Sequence, residues 1–246
     1  MSQLLIVIPA RLASVRLPNK PLVSIHGKPM IVHVWERAVA ANLGEVVVAC
    51  CGPEIADVIT AAGGTAYMTD PNLPSGSDRI KAVLADMPHV SDDAIILNLQ
   101  GDLPTISADI LLAALEPLKN PKVDIGTIAT RIQDLTQIHN PNVVKVAMTP
   151  VSQEIGRALY FSRATIPYGA TEYYHHIGIY AYRRKALERY LSLPASPLEN
   201  LEKLEQLRAL EDGMRIDVRI IASAPHTVDT PEDLNVVIEY LKSKEC

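Results

Sequence analysis

Residues 9–20 read Pro-Ala-Arg-Leu-Ala-Ser-Val-Arg-Leu-Pro-Asn-Lys, so three cations, Arg11, Arg16 and Lys20, share one stretch that contains no carboxylate. The first acidic residue of the protein is Glu36. The first 35 residues therefore carry +4 and the remaining 211 carry −9, within a net charge of −5. Cations gathered at the start of an acidic chain are either a solvated loop or an anion site. A second stretch with chemical potential is Gln100-Gly101-Asp102, which closes a later apolar run. Cations facing a carboxylate across a crevice can hold a nucleoside triphosphate and its magnesium. Neither Gly-x-x-x-x-Gly-Lys nor Gly-x-Gly-x-x-Gly occurs in the cationic stretch, which disfavours a P-loop ATPase and a dehydrogenase.

These residues need strands behind them. Residues 4–8 form a short continuous apolar run closed by Pro9, the pattern of a strand buried on both faces of a mostly parallel sheet. A helix over 30–41 and a valine-rich strand over 45–51 follow, in βαβ order. Residues 53–62 read as a helix ended by Gly63 and Gly64, 65–68 as a strand, 78–87 as a helix, and 94–99 as another buried strand. Residues 107–118 form a helix that Ser107 is placed to cap. To this point the pattern is a doubly wound sheet, in which ligands bind at the carboxyl edge of the strands. From 123 the texture changes to β-like runs at 123–129, 143–148 and 158–166, which suggests mixed or antiparallel strands in a smaller lobe. A helix over 198–214 carries leucines at every third position, so each lags the last by about 60° and little of it can face solvent. Glu205 and Gln206 lie inside that stretch and would need partners. A strand at 215–222 precedes Thr230-Pro231-Glu232-Asp233, the start of the last helix.

At 246 residues, 48% hydrophobic and 21% charged, the composition is that of a folded α/β domain with one core and a small lobe. The negative balance argues against a nucleic-acid partner. No apolar stretch near the start approaches the roughly 20 residues of a membrane span, and no charged flank marks a secretion signal, so no membrane insertion and a cytoplasmic location are expected. Cys50, Cys51 and Cys246 form neither a disulfide framework nor a zinc spacing and read as free thiols.

Residues 11–22, with Arg-Leu-Pro-x-Lys-Pro-Leu, resemble the opening signature of the 3-deoxy-manno-octulosonate (Kdo) cytidylyltransferase family. So do Gly27-Lys28-Pro29-Met30, Ser75-Gly76-Ser77-Asp78-Arg79, Gln100-Gly101-Asp102-x-Pro104, Asn140-Pro141-Asn142, Tyr160-Phe161-Ser162-Arg163-Ala164, His176-x-Gly178-x-Tyr180, Leu204-Glu205-Gln206-Leu207-Arg208 and Val228-Asp229-Thr230-Pro231-Glu232-Asp233. The blocks fall in that family's order over essentially the whole chain. The resemblance implies a three-layer, Rossmann-like α/β fold of the nucleotide-diphospho-sugar-transferase type: a mixed, mainly parallel sheet in one domain over 1–246. It also implies a small antiparallel lobe at about 150–195 for dimerisation and sugar binding, and hence a homodimer. The implied reaction is CMP transfer from CTP to Kdo, for lipopolysaccharide synthesis. Arg11, Arg16 and Lys20, with Ala10, would hold the triphosphate, and Ser75, Gly76, Ser77 and Arg79 would read cytosine and ribose. Asp102 and Asp229 would bind Mg²⁺, with Lys20 sharing the catalytic role. Gln100, Arg163, His176, Tyr180, Glu205 and Gln206 would line the sugar pocket, Arg163 as partner of the sugar carboxylate.

Asp229 has a second reading as a helix cap, and Asp102 as a turn former. His175-His176 could be ordinary strand residues, and Tyr173 and Tyr174 could pack a dimer. The chain departs from the family pattern at Cys50-Cys51, where relatives commonly have Thr-Asp, and at Leu103, where many have Glu. Other functional classes are a second acid-sugar transferase, a nucleotide-binding regulator without turnover, which should have lost a metal carboxylate or Lys20, and a phosphohydrolase, whose nucleophile motif is missing.

Overall fold

The computed structural model describes residues 3–13, 16–73 and 75–244; Ser14 and Val15 of the cationic stretch and the thiol of Cys246 lie outside them. In chain order the elements are β1 Leu4–Ala10, β2 Ser24–Ile25, β3 Lys28–Pro29, α1 Met30–Ala40, β4 Glu45–Cys50, α2 Pro53–Ala61, β5 Thr65–Met68, α3 Gly76–Ala85, β6 Ile95–Asn98, α4 Ala108–Leu115, β7 Ile125–Arg131, β8 Lys145–Pro150, β9 Ile155–Ser162, β10 Tyr174–Arg183, α5 Arg184–Ser192, α6 Pro197–Glu202, α7 Gln206–Glu211, β11 Ile216–Ile221 and α8 Pro231–Lys242. The chain divides into two compact units, 1–111 with 225–246, and 112–224.

In the first unit four parallel strands run in the order β5-β4-β1-β6. Leu5, Ile6, Val7 and Ile8 are fully buried, as a strand with neighbours on both sides demands. Pro9 sits in β1 beyond Val7, the last residue in register with β6, so its missing N–H interrupts no ladder on that side. His26 and Gly27 both have positive φ, which closes β2 and β3 into a tight hairpin. Ile25 from that hairpin packs with Leu17, Met30, Val228, Val237 and Leu241 in one apolar cluster. The cluster fastens the end of the cationic stretch to α8 and to the residues just before it.

The second unit is a mixed sheet in the order β10-β7-β11-β9-β8. Here β11 runs parallel to β7, while β10 with β7, β11 with β9, and β8 with β9 are antiparallel. A single pair, His175 with Lys145, also joins β10 to β8. The change of texture after residue 123 is thus a change of sheet type. The strand β10 and the helix α5 are elements that periodicity did not mark. Between Ile177 and Tyr180 the register of β10 against β7 slips, leaving Gly178 and Ile179 as a bulge.

The single helix expected over 198–214 is two. Lys203 takes a left-handed conformation, ending α6, and α7 begins at Gln206. Leucines three apart drift around a straight helix and cannot all face one core; the break resets the phase. Leu204 and Leu207 are buried and Leu201 is left 79% exposed. Gln206 is buried, but Glu205 is exposed, contrary to the packing expectation. Its carboxylate and carbonyl nevertheless accept from the Tyr190 hydroxyl, at 3.5 and 3.3 Å.

Candidate active site

Four of the candidate residues meet in the first unit. The Lys20 ammonium donates to Asp102 Oδ2 at 2.7 Å and to Asp229 Oδ1 at 2.9 Å, and Arg16 lies 3.3 Å from Asp229 Oδ2. Lys20, Asp102 and Asp229 lie far apart in the chain, and four local devices bring them together. Lys20 opens a short 3₁₀ turn after Asn19, whose φ is positive. Gly101 lets the turn before Asp102 press on β1: a Cβ there would lie 3.0 Å from Pro9 O and 3.1 Å from Ile31 Cδ1. The Val228 N–H donates to Asp102 O at 3.0 Å, tying together the two segments that carry the carboxylates. Finally, α8 starts with a capping box: Thr230 Oγ1 accepts from Asp233 N, and Asp233 Oδ2 accepts from the N–H groups of Thr230 and Asp229. Thr230 and Asp233 cap the helix, so the Asp229 carboxylate is left for Lys20 and Arg16, and the capping reading of Asp229 falls.

Burial opposes the charge on Lys20, yet the Asp102 and Asp229 carboxylates outweigh it and raise its pKa. Lys20 stays protonated at any working pH. Two hard carboxylates converging within 3 Å of one cationic centre also fit Mg²⁺, which takes one or two carboxylates and completes its shell with water and phosphate oxygens. Among the described residues no group of three or more His, Cys, Asp or Glu could hold a metal ion.

The Ser75 to Arg79 segment opens α3. Ser75 Oγ accepts from Asp78 N at 3.1 Å, and a Cβ on Gly76 would stand 3.3 Å from Pro9, so α3 begins against the end of β1. Arg79 is buried, and its guanidinium holds the turn before α3, donating to Thr69 Oγ1 and to the Asp70 and Pro71 carbonyls. Thr69 in turn caps Cys50 O, so the Cys50 position is bound into that same turn. Burial raises the pKa of the Cys50 thiol. Arg11 is exposed, Ala10 is buried, and Gln100 donates to Asn98 Oδ1 at 3.1 Å. Leu103 is a core residue at 2% exposure.

In the second unit His176, Tyr180 and Glu205 belong to one network, and Arg163 has partners of its own. The rings of Phe161, His176, Tyr180, Tyr182 and Tyr190 follow one another at centroid distances of 4.8, 5.4, 5.9 and 6.1 Å. Tyr190 then bonds Glu205 and lies under the Arg208 guanidinium, which is paired with Glu199. Burial, then His175, depress the His176 pKa to about 3, and burial pushes that of Tyr180 well up, so both rings are neutral. Arg163 donates to the carbonyls of Glu202, Pro141 and Lys203, at 2.8, 2.9 and 3.4 Å. Tyr173 and Tyr174 are half-buried and stand outside this ladder; Tyr174 donates to Glu172.

Sequence reasoning missed two residues that bond to these candidates. Glu202 accepts from Ser162 Oγ and Arg163 N, and Thr127, fully buried, reaches His176 Nε2 at 3.0 Å. Neither has a local signal: one is a charge on a helix, the other a hydroxyl in an apolar strand. A cavity of about 350 Å³ elsewhere in this unit, lined in part by Thr130, Gln137, Val143 and His175, contains none of the candidate site residues.

A family model described as cytidylyltransferase matches residues 5–216. A 3-deoxy-manno-octulosonate cytidylyltransferase from Paramagnetospirillum magneticum is 55% identical over 242 residues, covering 97% of this chain and 98% of its own length. One from Rhodopseudomonas palustris strain BisB5 is 56% identical over 230 residues, covering 94% of each. Among solved structures, CMP:2-keto-3-deoxy-manno-octonic acid synthetase complexed with CTP superposes with a TM-score of 0.90 at 40% identity, over 99% of this chain and 100% of that one. The 4-diphosphocytidyl-2C-methyl-D-erythritol synthase of Anaerococcus prevotii shares the fold, at a TM-score of 0.66 and 13% identity.

Proposed function

Because the chain belongs to the cytidylyltransferase family, among the 3-deoxy-manno-octulosonate cytidylyltransferases, we propose that it transfers CMP from CTP to the anomeric hydroxyl of Kdo, releasing pyrophosphate. The observation that carries this reading is the convergence of Asp102, Asp229, Lys20 and Arg16 at the mouth of the cationic stretch. In the reaction the sugar hydroxyl attacks the α-phosphorus and charge builds on phosphoryl oxygens. Positioning and preformed cations supply the rate, since there is little covalent work for the protein to do.

Lys20, Arg16 and Arg11, with Ala10 beside them, meet the triphosphate; Ser75, Gly76, Ser77 and Arg79 form the nucleoside side. Asp102 and Asp229 hold Mg²⁺, which when bound neutralises phosphate charge and polarises the reacting oxygens. Gln100, Arg163, His176, Tyr180, Glu205 and Gln206 belong to the Kdo pocket. Three of the five N–H groups of Arg163 go to carbonyls, leaving two for the Kdo carboxylate. This reading carries with it a three-layer, Rossmann-like fold in one functional domain, and a homodimer formed through a lobe at about 150–195. It also places the reaction in lipopolysaccharide precursor synthesis in the cytoplasm. Among the described residues no helix is long and apolar enough to cross a membrane.

The test is pyrophosphate release with CTP and Mg²⁺, comparing Kdo, sialic acid and no acceptor, for the wild type and Asp102→Asn. Kdo-dependent release that falls by about 10²-fold or more in the variant is expected. Release with sialic acid alone would move the substrate, and release without any acceptor would make the protein a hydrolase.

A further inference from the structure

The bulge in β10 frees backbone groups that must find partners. Thr127, on the facing strand β7 and fully buried, supplies them: its Oγ1 lies 2.7 Å from Ile179 O, 3.3 Å from Ile177 O and 3.0 Å from His176 Nε2. A hydroxyl has one proton to give. Both carbonyls can only accept, and 2.7 Å to Ile179 O is the ordinary length of an O–H···O bond, so the proton lies there. The oxygen then has only lone pairs to offer His176. If Nε2 were also a lone pair, two acceptors would face each other at 3.0 Å in a dry interior. Nε2 must therefore carry the ring proton and donate it to Thr127, which leaves Nδ1 with the lone pair.

We propose that Thr127 is a positioning residue for the sugar site: by bonding both the bulge carbonyl and Nε2 it fixes His176 as the Nε2–H tautomer. His176 then meets the acid sugar through Nδ1 as an acceptor, selecting a substrate hydroxyl that donates. This rests on the assignment of His176 to the Kdo pocket. The second nitrogen of a histidine is set by what the first is bonded to, and the same bonds that hold the bulge set it here. The His-x-Gly-x-Tyr block thus works with a residue some fifty positions earlier in the chain, which only the β7–β10 register brings opposite it.

The test is nitrogen NMR of ring-labelled histidine in the folded wild-type protein, with the His176 signal assigned by its loss in His176→Gln. A protonated, pyrrole-type Nε2 and a bare, pyridine-type Nδ1 are expected. In Thr127→Val, which keeps the shape and loses the hydroxyl, the two types should mix or exchange, and KM for Kdo should rise by about tenfold with KM for CTP unchanged. Thr127→Ser should restore both. A wild-type His176 protonated on Nδ1 overturns the proposal whether or not any variant folds, as does Thr127→Val with the tautomer and KM intact. If the tautomer is as expected but His176→Gln leaves KM for Kdo unchanged, the assignment of His176 to the sugar fails and the positioning role falls with it.

Discussion

The residues with the strongest chemical character here are charged or neutral because of their neighbours. Lys20 is held as a cation by two carboxylates against the effect of its own burial. His176 is held neutral by burial among rings. Its folded pKa of about 3 lies below the ordinary 6.5, so between those values the unfolded chain binds the extra proton. Its contribution to stability is complete above pH 6.5 and is lost as pH falls towards 3. Between pH 6.5 and 5 this amounts to roughly 2 kcal/mol. Urea unfolding of the wild type should show that loss, and His176→Gln should show a shallower decline; equal slopes would mean that the ring is not dry. At this scale the sequence singled out Lys20, Asp102 and Asp229, which the structure brings into contact, and His176, because their blocks are contiguous and specific. It could not name Thr127, whose only distinction is what lies across the strand.

At the scale of elements, the carboxylate Asp229 is placed by a helix start. The capping box of α8 holds the Asp229 and Thr230 N–H groups on one oxygen of Asp233. Thr230→Val removes the reciprocal oxygen and should cost about 1 kcal/mol. For a chain of this size that is a fall in Tm of about 2–4 °C. The apparent affinity for Mg²⁺ should weaken with it, as the Asp229 backbone loosens, and Thr230→Ser should recover both. A Tm loss with unchanged Mg²⁺ dependence would separate the cap from the site. The boundaries of β1, α1, α2 and β5 and the start of α8 were legible within a residue or two because apolar period, Pro and Gly agree there. The division into α6 and α7 was not, since a leucine at every third position satisfies a helical pattern locally and fails only when a real core takes one side.

At the scale of the molecule, a net charge of −5 coexists with an opening segment of +4. A polyanionic nucleotide approaches against the mean field and toward a local one, so its binding is sensitive to screening. KM for CTP should rise roughly several-fold between 50 and 500 mM salt, with KM for Kdo moving less. A KM for CTP indifferent to salt would remove the cationic stretch from nucleotide capture. By itself the sequence determined the α/β class, the switch to mixed strands after residue 123 and the family. Those properties are written in local periodicity, in turn residues and in contiguous motifs. Tertiary structure alone decided that Lys20 is shared between Asp102 and Asp229, that Asp229 is released from capping, that Arg79 and Arg163 spend donors on carbonyls, and that Thr127 faces His176. Each depends on strand register or on the packing of distant segments, and a hydrogen bond between residues fifty or two hundred positions apart leaves no periodic trace in the chain.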